Sequence, residues 1–431
     1  MTVSRRTFVE TSGLALAAMA LPRPAFGIGR PSADPIRIGV VGCGGRGSGA
    51  VRDAVRASDN VQITALGDLL PDRLTSARAG FARTVAEDPR FAAAYKVTEE
   101  RCFTGFDAYK QVLATDCDLV ILATPPGFRA EHITAAINAG KHVFTEKPVA
   151  VDVKTALAVI AAADLAKTKN LGIVAGTQRR HDPRYVETIK RIHDGQIGEV
   201  ISGQVYWNQG GLWSNARKPE WSDMEFQLRN WLYYTWASGD HIVEQHVHNI
   251  DVANWVMGGH PIRAVAMGGR QTRTDPLYGH IFDHFAVEYE YANGRRVLSM
   301  CRQQDGTASK VAEAFQGTAG SSNAYDTIEG KKAWKHAKLE GMNPYVEEHR
   351  DLVASIRAGK PLNEGRQIVD SNLTAILGRE AAYTGQAITW DELLASNLSI
   401  LPPTFALGPL ATPAVPTPGE TTLQRTFTEG W

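Results

Sequence analysis

Between Ile36 and Thr177 the chain alternates short apolar runs with stretches of helical period. The runs Ile36–Gly42, Val61–Asp68, Asp118–Thr124, Lys141–Lys147 and Leu171–Thr177 are nearly continuous in apolar side chains, as strands buried on both faces are. Between them, Val51–Ala57, Phe106–Ala114, Ala130–Ala139 and Val153–Lys167 repeat their apolar residues every three or four positions, which lays one face of a helix on a sheet. Strict alternation of this kind predicts a doubly wound parallel α/β sheet over residues 34–177. Beyond residue 178 the alternation stops. Glu199–Gln209, Ile262–Arg270, Phe285–Tyr291 and Arg296–Arg302 read as longer strands, and the turn Ala292-Asn293-Gly294 pairs two of them antiparallel. A second, α+β domain therefore spans residues 178–400, with Tyr345–Ala358 and Arg366–Tyr383 as its closing helices. Residues 401–431, rich in Pro and Thr, read as an extended arm or tail.

Composition narrows the function without naming it. The 431 residues carry 46 Lys and Arg against 46 Asp and Glu, so no net charge draws the protein to nucleic acid or an anionic surface. Four cysteines, Cys43, Cys102, Cys117 and Cys301, form no C-x-x-C pair and are read as free thiols. The N-terminus changes the picture more. Arg5-Arg6 precedes an apolar run, Gly13–Leu21, and the small residues Ala25 and Gly27. That order predicts a twin-arginine export signal within residues 1–33, cut near Gly27, and a periplasmic or secreted protein without a stable membrane anchor.

The candidate chemistry begins directly after the first strand. Gly42-Cys43-Gly44-Gly45-Arg46-Gly47 matches G-x-G-x-x-G at a strand-to-helix turn, the context in which it binds a dinucleotide. Gly42 permits the tight turn, Gly44 and Gly45 let backbone approach a pyrophosphate, and Gly47 lets the helix pack on the strand. Asp68 ends the next strand, where a carboxylate accepts hydrogen bonds from the adenosine ribose; this favours NAD over NADP. Arg46 keeps a 2′-phosphate in play.

At Ala139-Gly140-Lys141-His142-Val143 and Glu146-Lys147-Pro148 the sequence resembles the Gfo/Idh/MocA oxidoreductases, which include glucose–fructose oxidoreductase and inositol dehydrogenases. Together with the Gly-rich turn and Thr124-Pro125, the resemblance runs from about Ile36 to Ile400. It implies a Rossmann domain joined to a large, mostly antiparallel sheet whose open face often mediates oligomers, here a homodimer or homotetramer. It implies hydride exchange between a nicotinamide and a sugar or cyclitol carbinol, with Thr124, Pro125, Glu146 and Lys147 at the cofactor. Lys147 stands at the carboxyl end of a strand, where an ammonium stabilises alkoxide character as hydride leaves. Glu244 and His248 are four apart on one predicted helix, so the carboxylate can orient the imidazole and His248 can take the hydroxyl proton. The family reads Asp-x-x-x-His here, so Glu244 is a departure; Arg129, where many relatives carry histidine, is another. His241, Glu244 and His248 also share a face that could hold zinc, but H-E-x-x-H is absent, and no metal is assigned. His246 is assigned to packing or a dimer surface.

Gln178, Arg179 and Arg180 follow another strand end and are candidate substrate contacts. Trp207, Asn208 and Tyr234 join them from an aromatic segment that holds Trp207, Trp213, Trp221, Trp231 and Trp236. Flat rings beside amides suit a pyranose, and equally a core or an interface. The paired arginines select a carboxylated or sulfated sugar, or brace the cofactor. An export signal on a nicotinamide enzyme implies a non-dissociable cofactor that is restored at every turnover. Two reactions satisfy this: a sugar oxidoreductase, or an NAD-dependent glycosidase that oxidises C3 transiently and eliminates the aglycone. A non-catalytic sugar- or nucleotide-binding protein is the third reading, and it requires Lys147 and His248 to be incidental.

Overall fold

The computed structural model describes residues 34–427; the predicted export signal lies outside them. Six strands form the first sheet: β1 (Ile36–Val41), β2 (Val61–Asp68), β3 (Cys102–Thr104), β4 (Leu119–Leu122), β5 (His142–Thr145) and β6 (Ile173–Ala175). They lie in the order β3-β2-β1-β4-β5-β6 and pair in parallel throughout. The order reverses beside β1, between β2 and β4, and opens a crevice beyond the carboxyl ends of the strands.

The whole stretch between β2 and residue 104 departs from the expectation: helices Pro71–Glu87 and Pro89–Ala94, a short turn of helix at Glu99–Arg101 and β3 were not predicted. β3 is a three-residue, half-exposed strand, too short for an apolar run. Helix Pro71–Glu87 buries only Leu74, Ala77 and Phe81, one thin stripe on an otherwise polar sequence.

The second sheet has nine strands: β7 (Val200–Gln209), β8 (Arg263–Gly269), β9 (His284–Glu290), β10 (Arg296–Gln303), β11 (Lys310–Gly317), β12 (Gly320–Ser322), β13 (Thr327–Gly330), β14 (Trp334–Lys335) and β15 (Ile388–Thr389). β9 and β10 pair antiparallel across the predicted turn, whereas β10 runs parallel to β7; the sheet is mixed and mostly antiparallel. Among the described residues no helix is long and apolar enough to cross a membrane.

Of the two predicted closing helices of the second domain, Gly365–Thr384 packs on its sheet as expected, against β8 and β9, and Pro344–Arg357 does not. Helix Pro344–Arg357 packs on the first sheet, where Leu352 and Val353 join the core of Ile36, Val51 and Phe144. Helix Gly365–Thr384 is buried on nearly every side. Asn372 on it accepts from Val149 N at 2.8 Å, and Arg379 donates to Val151 O at 2.8 Å and Gly239 O at 3.0 Å, so it joins the two domains. The C-terminal arm lies on the body. Phe405 packs against Phe106, Phe128 and Trp236, and Arg425 reaches the buried Glu380 at 2.6 Å. All four cysteines are free.

Several histidines are locked inside this core in the neutral form. Burial lowers His132, His246, His280 and His349 to about 3 and His142 to about 4. Unfolding releases them to take up protons below their ordinary pKa of about 6.5, each costing about 1.4 kcal/mol per pH unit. His181 has the opposite sign. Burial pulls it down, but bonds to Asp351 (2.7 Å) and Glu364 (3.1 Å) raise it to about 9; its contribution is present below about pH 6.5 and is lost as pH rises toward 9. Thermal melts should therefore give a maximal Tm near neutrality and a steep fall from pH 6.5 to 5. A Tm constant across that interval would show that these histidines are not buried neutral.

Candidate active site

The Gly-rich turn has the shape of a phosphate cradle. Gly42 sits at φ +93°, and a Cβ there would stand 2.6 Å from Thr124 N. A Cβ on Gly47 would lie 1.9 Å from the carbonyl oxygen of Gly42, so only glycine lets helix Gly45–Ala57 start against β1. Gly44 and Gly45 face open space, with nothing within 4 Å of a built Cβ, which leaves room for a pyrophosphate at the helix N-terminus. Gly42, Gly44 and Gly45 line a cavity of about 530 Å³ that continues past the ends of β2, β3 and β4, through Asp68, Phe106, Tyr109, Thr124 and Pro125. The residues present fit a dinucleotide, with its adenosine half on the β2–β3 side.

Asp68 lines this cavity but is already engaged. Its carboxylate accepts from Cys43 N at 2.6 Å and Leu70 N at 2.9 Å, tying the Gly-rich turn to the end of β2; one further lone pair on each oxygen remains for a ribose. Thr124 Oγ1 meets His132 Nδ1 at 3.2 Å. Arg129 donates to Thr124 O at 2.9 Å and Pro148 O at 2.5 Å, linking the turns after β4 and β5 from a fully buried position.

Arg46 does not stand ready for a 2′-phosphate. Its guanidinium bonds Glu146 at 2.5 Å, lies 3.6 Å from Asp53 and 3.7 Å from Glu348, and stacks on the Tyr345 ring at 4.8 Å. The guanidinium is already paired with the Glu146 carboxylate. The Glu146 carboxylate is likewise spent on Arg46, against Gly176, where a Cβ would come within 2.5 Å of it.

Lys147 lies further along the crevice, beyond β5. Its ammonium donates to Glu244 O at 2.5 Å and Glu244 Oε1 at 2.9 Å. This corrects the expected Glu244–His248 pair. The predicted single helix breaks after Glu244, at Gln245, into His241–Glu244 and Val247–Met257, so the four-residue spacing no longer aligns the two side chains, and Glu244 turns to Lys147 instead. The same break undoes the shared zinc face: His241 bonds Asp240 at 2.9 Å while Glu244 faces Lys147. His246 is buried, with Nε2 on Ser299 Oγ at 2.7 Å, which makes it a packing residue.

His248 is buried under Trp207, whose ring stacks on it at 5.8 Å, and its Nδ1 has no hydrogen-bond partner. Burial, with the charges of Lys147, Arg179 and Arg46 nearby, holds it well below the ordinary histidine range. The imidazole is therefore neutral with an unpartnered Nδ1, the form a general base requires.

The remaining candidates divide. Gln178 donates to the Tyr345 hydroxyl at 3.1 Å. Arg179 pairs with buried Glu313 beside Trp207 and Tyr185. Arg180 is held by both oxygens of Asp251, at 2.8 and 2.9 Å, over Trp255. Neither arginine is an unmatched cation. Asn208 alternates with Trp207 along β7, pairs in register with Arg302 and Lys310 and so lies on the outer face of the sheet. Tyr234 is buried and lines a separate cavity with Arg217, Asp223 and Thr412. Both expected substrate contacts are therefore away from Lys147 and His248. Of the other tryptophans, Trp236 is core, Trp221 lies under Arg229, and Trp213 and Trp231 line the nucleotide cavity. Tyr345 and Glu313 went unnoticed in the sequence because they come from a helix and a strand far along the chain, with no motif around them.

Two family models match in tandem: "Oxidoreductase family, NAD-binding Rossmann fold" over residues 36–172, and the GFO/IDH/MocA C-terminal domain over 185–322. The chain belongs to the Gfo/Idh/MocA oxidoreductase family. Inositol 2-dehydrogenase 3 of Saccharopolyspora erythraea is 27% identical over 372 residues, covering 82% of this chain and 95% of the relative. A glycosyl hydrolase family 109 protein of Shewanella pealeana is 29% identical over 384 residues, covering 83% and 77%. Among solved structures, scyllo-inositol dehydrogenase of Lactobacillus casei with bound NAD(H) and scyllo-inositol superposes with a TM-score of 0.62 at 18% identity, covering 83% of this chain and 100% of that one. Aldose-aldose oxidoreductase of Caulobacter crescentus gives 0.63 at 17% identity, covering 82% and 99%. These structural likenesses establish the fold.

Proposed function

We propose that this protein is an exported NAD(P)-dependent oxidoreductase that moves hydride between a tightly held nicotinamide cofactor and a carbinol of a sugar, glycoside or cyclitol. The observation that carries the reading is the pairing of Lys147, from the first domain beyond the carboxyl end of β5, with Glu244 of the second at 2.9 Å, with buried His248 four residues further along the same segment. The bound nicotinamide supplies the hydride acceptor. Lys147 donates to the carbinol oxygen, exchanging part of its bond to Glu244 for the substrate, and neutral His248 takes the hydroxyl proton. Glu244 holds the ammonium in place between turnovers. Because Arg179 and Arg180 are each matched by a buried carboxylate, a neutral polyol suits the pocket better than a carboxylated or sulfated sugar.

The twin-arginine signal supports loading of the cofactor before export and retention afterwards. The open face of the second sheet supports a homodimer or homotetramer: Met267, Val265, Leu298 and Met300 are exposed on it, Met267 by 77%, an apolar surface that a second copy would cover. The test is to denature purified protein and identify the released nucleotide by mass spectrometry; near-stoichiometric NAD or NADP is expected, and a preparation that neither carries nor takes up nucleotide would contradict the reading. The likeness to the glycosyl hydrolase family 109 protein favours one second reading, redox-neutral glycoside cleavage. Aglycone release with solvent deuterium entering the carbon next to the oxidised one would select it over sugar oxidoreduction.

A further inference from the structure

The nucleotide cavity has two walls of different origin. One is the expected edge of the first sheet, while the other is formed by Trp213, Asn215, Leu228 and Trp231 of the second domain. We infer that the segment 210–231 is a strap that completes the adenosine half of the dinucleotide site, with Trp213 and Trp231 as an aromatic wall for the purine and Arg229–Asp72 as its tie to the first domain. The inference rests on the dinucleotide reading and specifies which residues of the second domain retain the ligand.

The strap is stiffened from within. Asn230, fully buried, accepts from Asn215 N at 2.7 Å and donates to Asn215 O at 3.0 Å, and Asn215 Nδ2 donates to Arg229 O at 2.7 Å. The Tyr233 hydroxyl reaches Leu212 O at 3.1 Å and Trp213 O at 2.9 Å. The backbone of Trp213 is therefore hydrogen-bonded in place while the residue stays 46% exposed, its ring 6.3 Å from that of Trp231. A pinned, uncovered tryptophan lining a cavity is placed to stack on a planar base.

The tie crosses the domain boundary. Arg229 donates to both oxygens of Asp72 at 3.0 Å and to Glu225 at 2.9 Å, above the Trp221 ring at 4.7 Å. Asp72 lies in the first turn of helix Pro71–Glu87, four residues after Asp68. Closing the strap thus spans the part of the cavity where adenosine would lie, and a bound dinucleotide is enclosed between two domains.

The test measures nucleotide lifetime and needs no substrate. Protein loaded with NAD is mixed with excess isotope-labelled NAD, and exchange is followed by mass spectrometry. Trp213→Ala should exchange at least about tenfold faster than wild type, and Trp213→Phe should stay close to wild type. Arg229→Ala and Asp72→Ala should each exchange a few-fold faster, about what a half-exposed ion pair supplies, and Arg229→Lys, which keeps the charge beside Asp72 and Glu225, should recover part of the loss. Exchange at the wild-type rate in Trp213→Ala and Arg229→Ala, with stoichiometric nucleotide still bound, would overturn the strap while leaving the dinucleotide site standing. A wild-type protein that takes up no NAD or NADP would overturn both.

Discussion

Lys147→Ala should slow hydride exchange by about 10³-fold or more while the protein still carries its nucleotide. The ammonium stands just beyond the end of β5, and it reaches Glu244 through two bonds rather than resting in solvent. Removing it leaves the carbinol oxygen without its stabilising cation and leaves Glu244 unpaired. The pyrophosphate cradle around Gly44 is a separate part of the crevice, so nucleotide content should not change. His248→Ala should act on the same step, by about 10²- to 10⁴-fold, because the base is lost. With His248 held well below the ordinary histidine range, the acid limb of kcat/KM in the wild type should fall below pH 6.5. A variant of either residue with wild-type single-turnover rates would remove it from the chemistry.

Gly47→Ala should cost about 3 kcal/mol of stability and abolish nucleotide retention. The new Cβ would meet the Gly42 carbonyl oxygen at 1.9 Å, and a backbone atom in the tight turn cannot step aside, so helix Gly45–Ala57 must lift from β1. Gly44→Ala is the informative contrast. Its Cβ meets nothing within 4 Å, so the Tm of the nucleotide-free protein should stay near wild type while nucleotide binding weakens, because that space is where a pyrophosphate would sit. Equal Tm losses in the two variants would show that the turn is packed rather than open. Measuring Tm and bound nucleotide on the same samples separates the two effects.

The first domain was legible because its strands are buried on both faces: a run such as Ile36–Gly42 cannot be mistaken for a surface segment, and the glycines that follow it have a steric reason to be there. The parallel pairing of β10 with β7 was not legible, since adjacency along the chain reveals hairpins and says nothing of strands a hundred residues apart. The catalytic pair was legible as separate residues. What was lost is the partner of Glu244: a four-residue spacing implies a shared face only while the helix is continuous, and the break at Gln245 redirects the carboxylate to a lysine in the other domain. Asn208 and Tyr234 show the same limit. Each has suitable chemistry, but the pleat of β7 turns one outward and the packing around Trp236 buries the other. Arg179 and Arg180 looked available because their counterions, Glu313 and Asp251, are distant in sequence.

The most direct test of the account is a single-turnover experiment on the nucleotide-loaded protein. Wild type and Lys147→Ala are mixed with a panel of neutral sugars, glycosides and cyclitols, and the near-ultraviolet absorbance of reduced nicotinamide is followed on the protein. The account predicts that at least one neutral polyol reduces the bound nucleotide rapidly in wild type and about 10³-fold more slowly in Lys147→Ala. Equal rates in the two proteins, or a loaded wild-type nucleotide that no neutral polyol reduces, would contradict it.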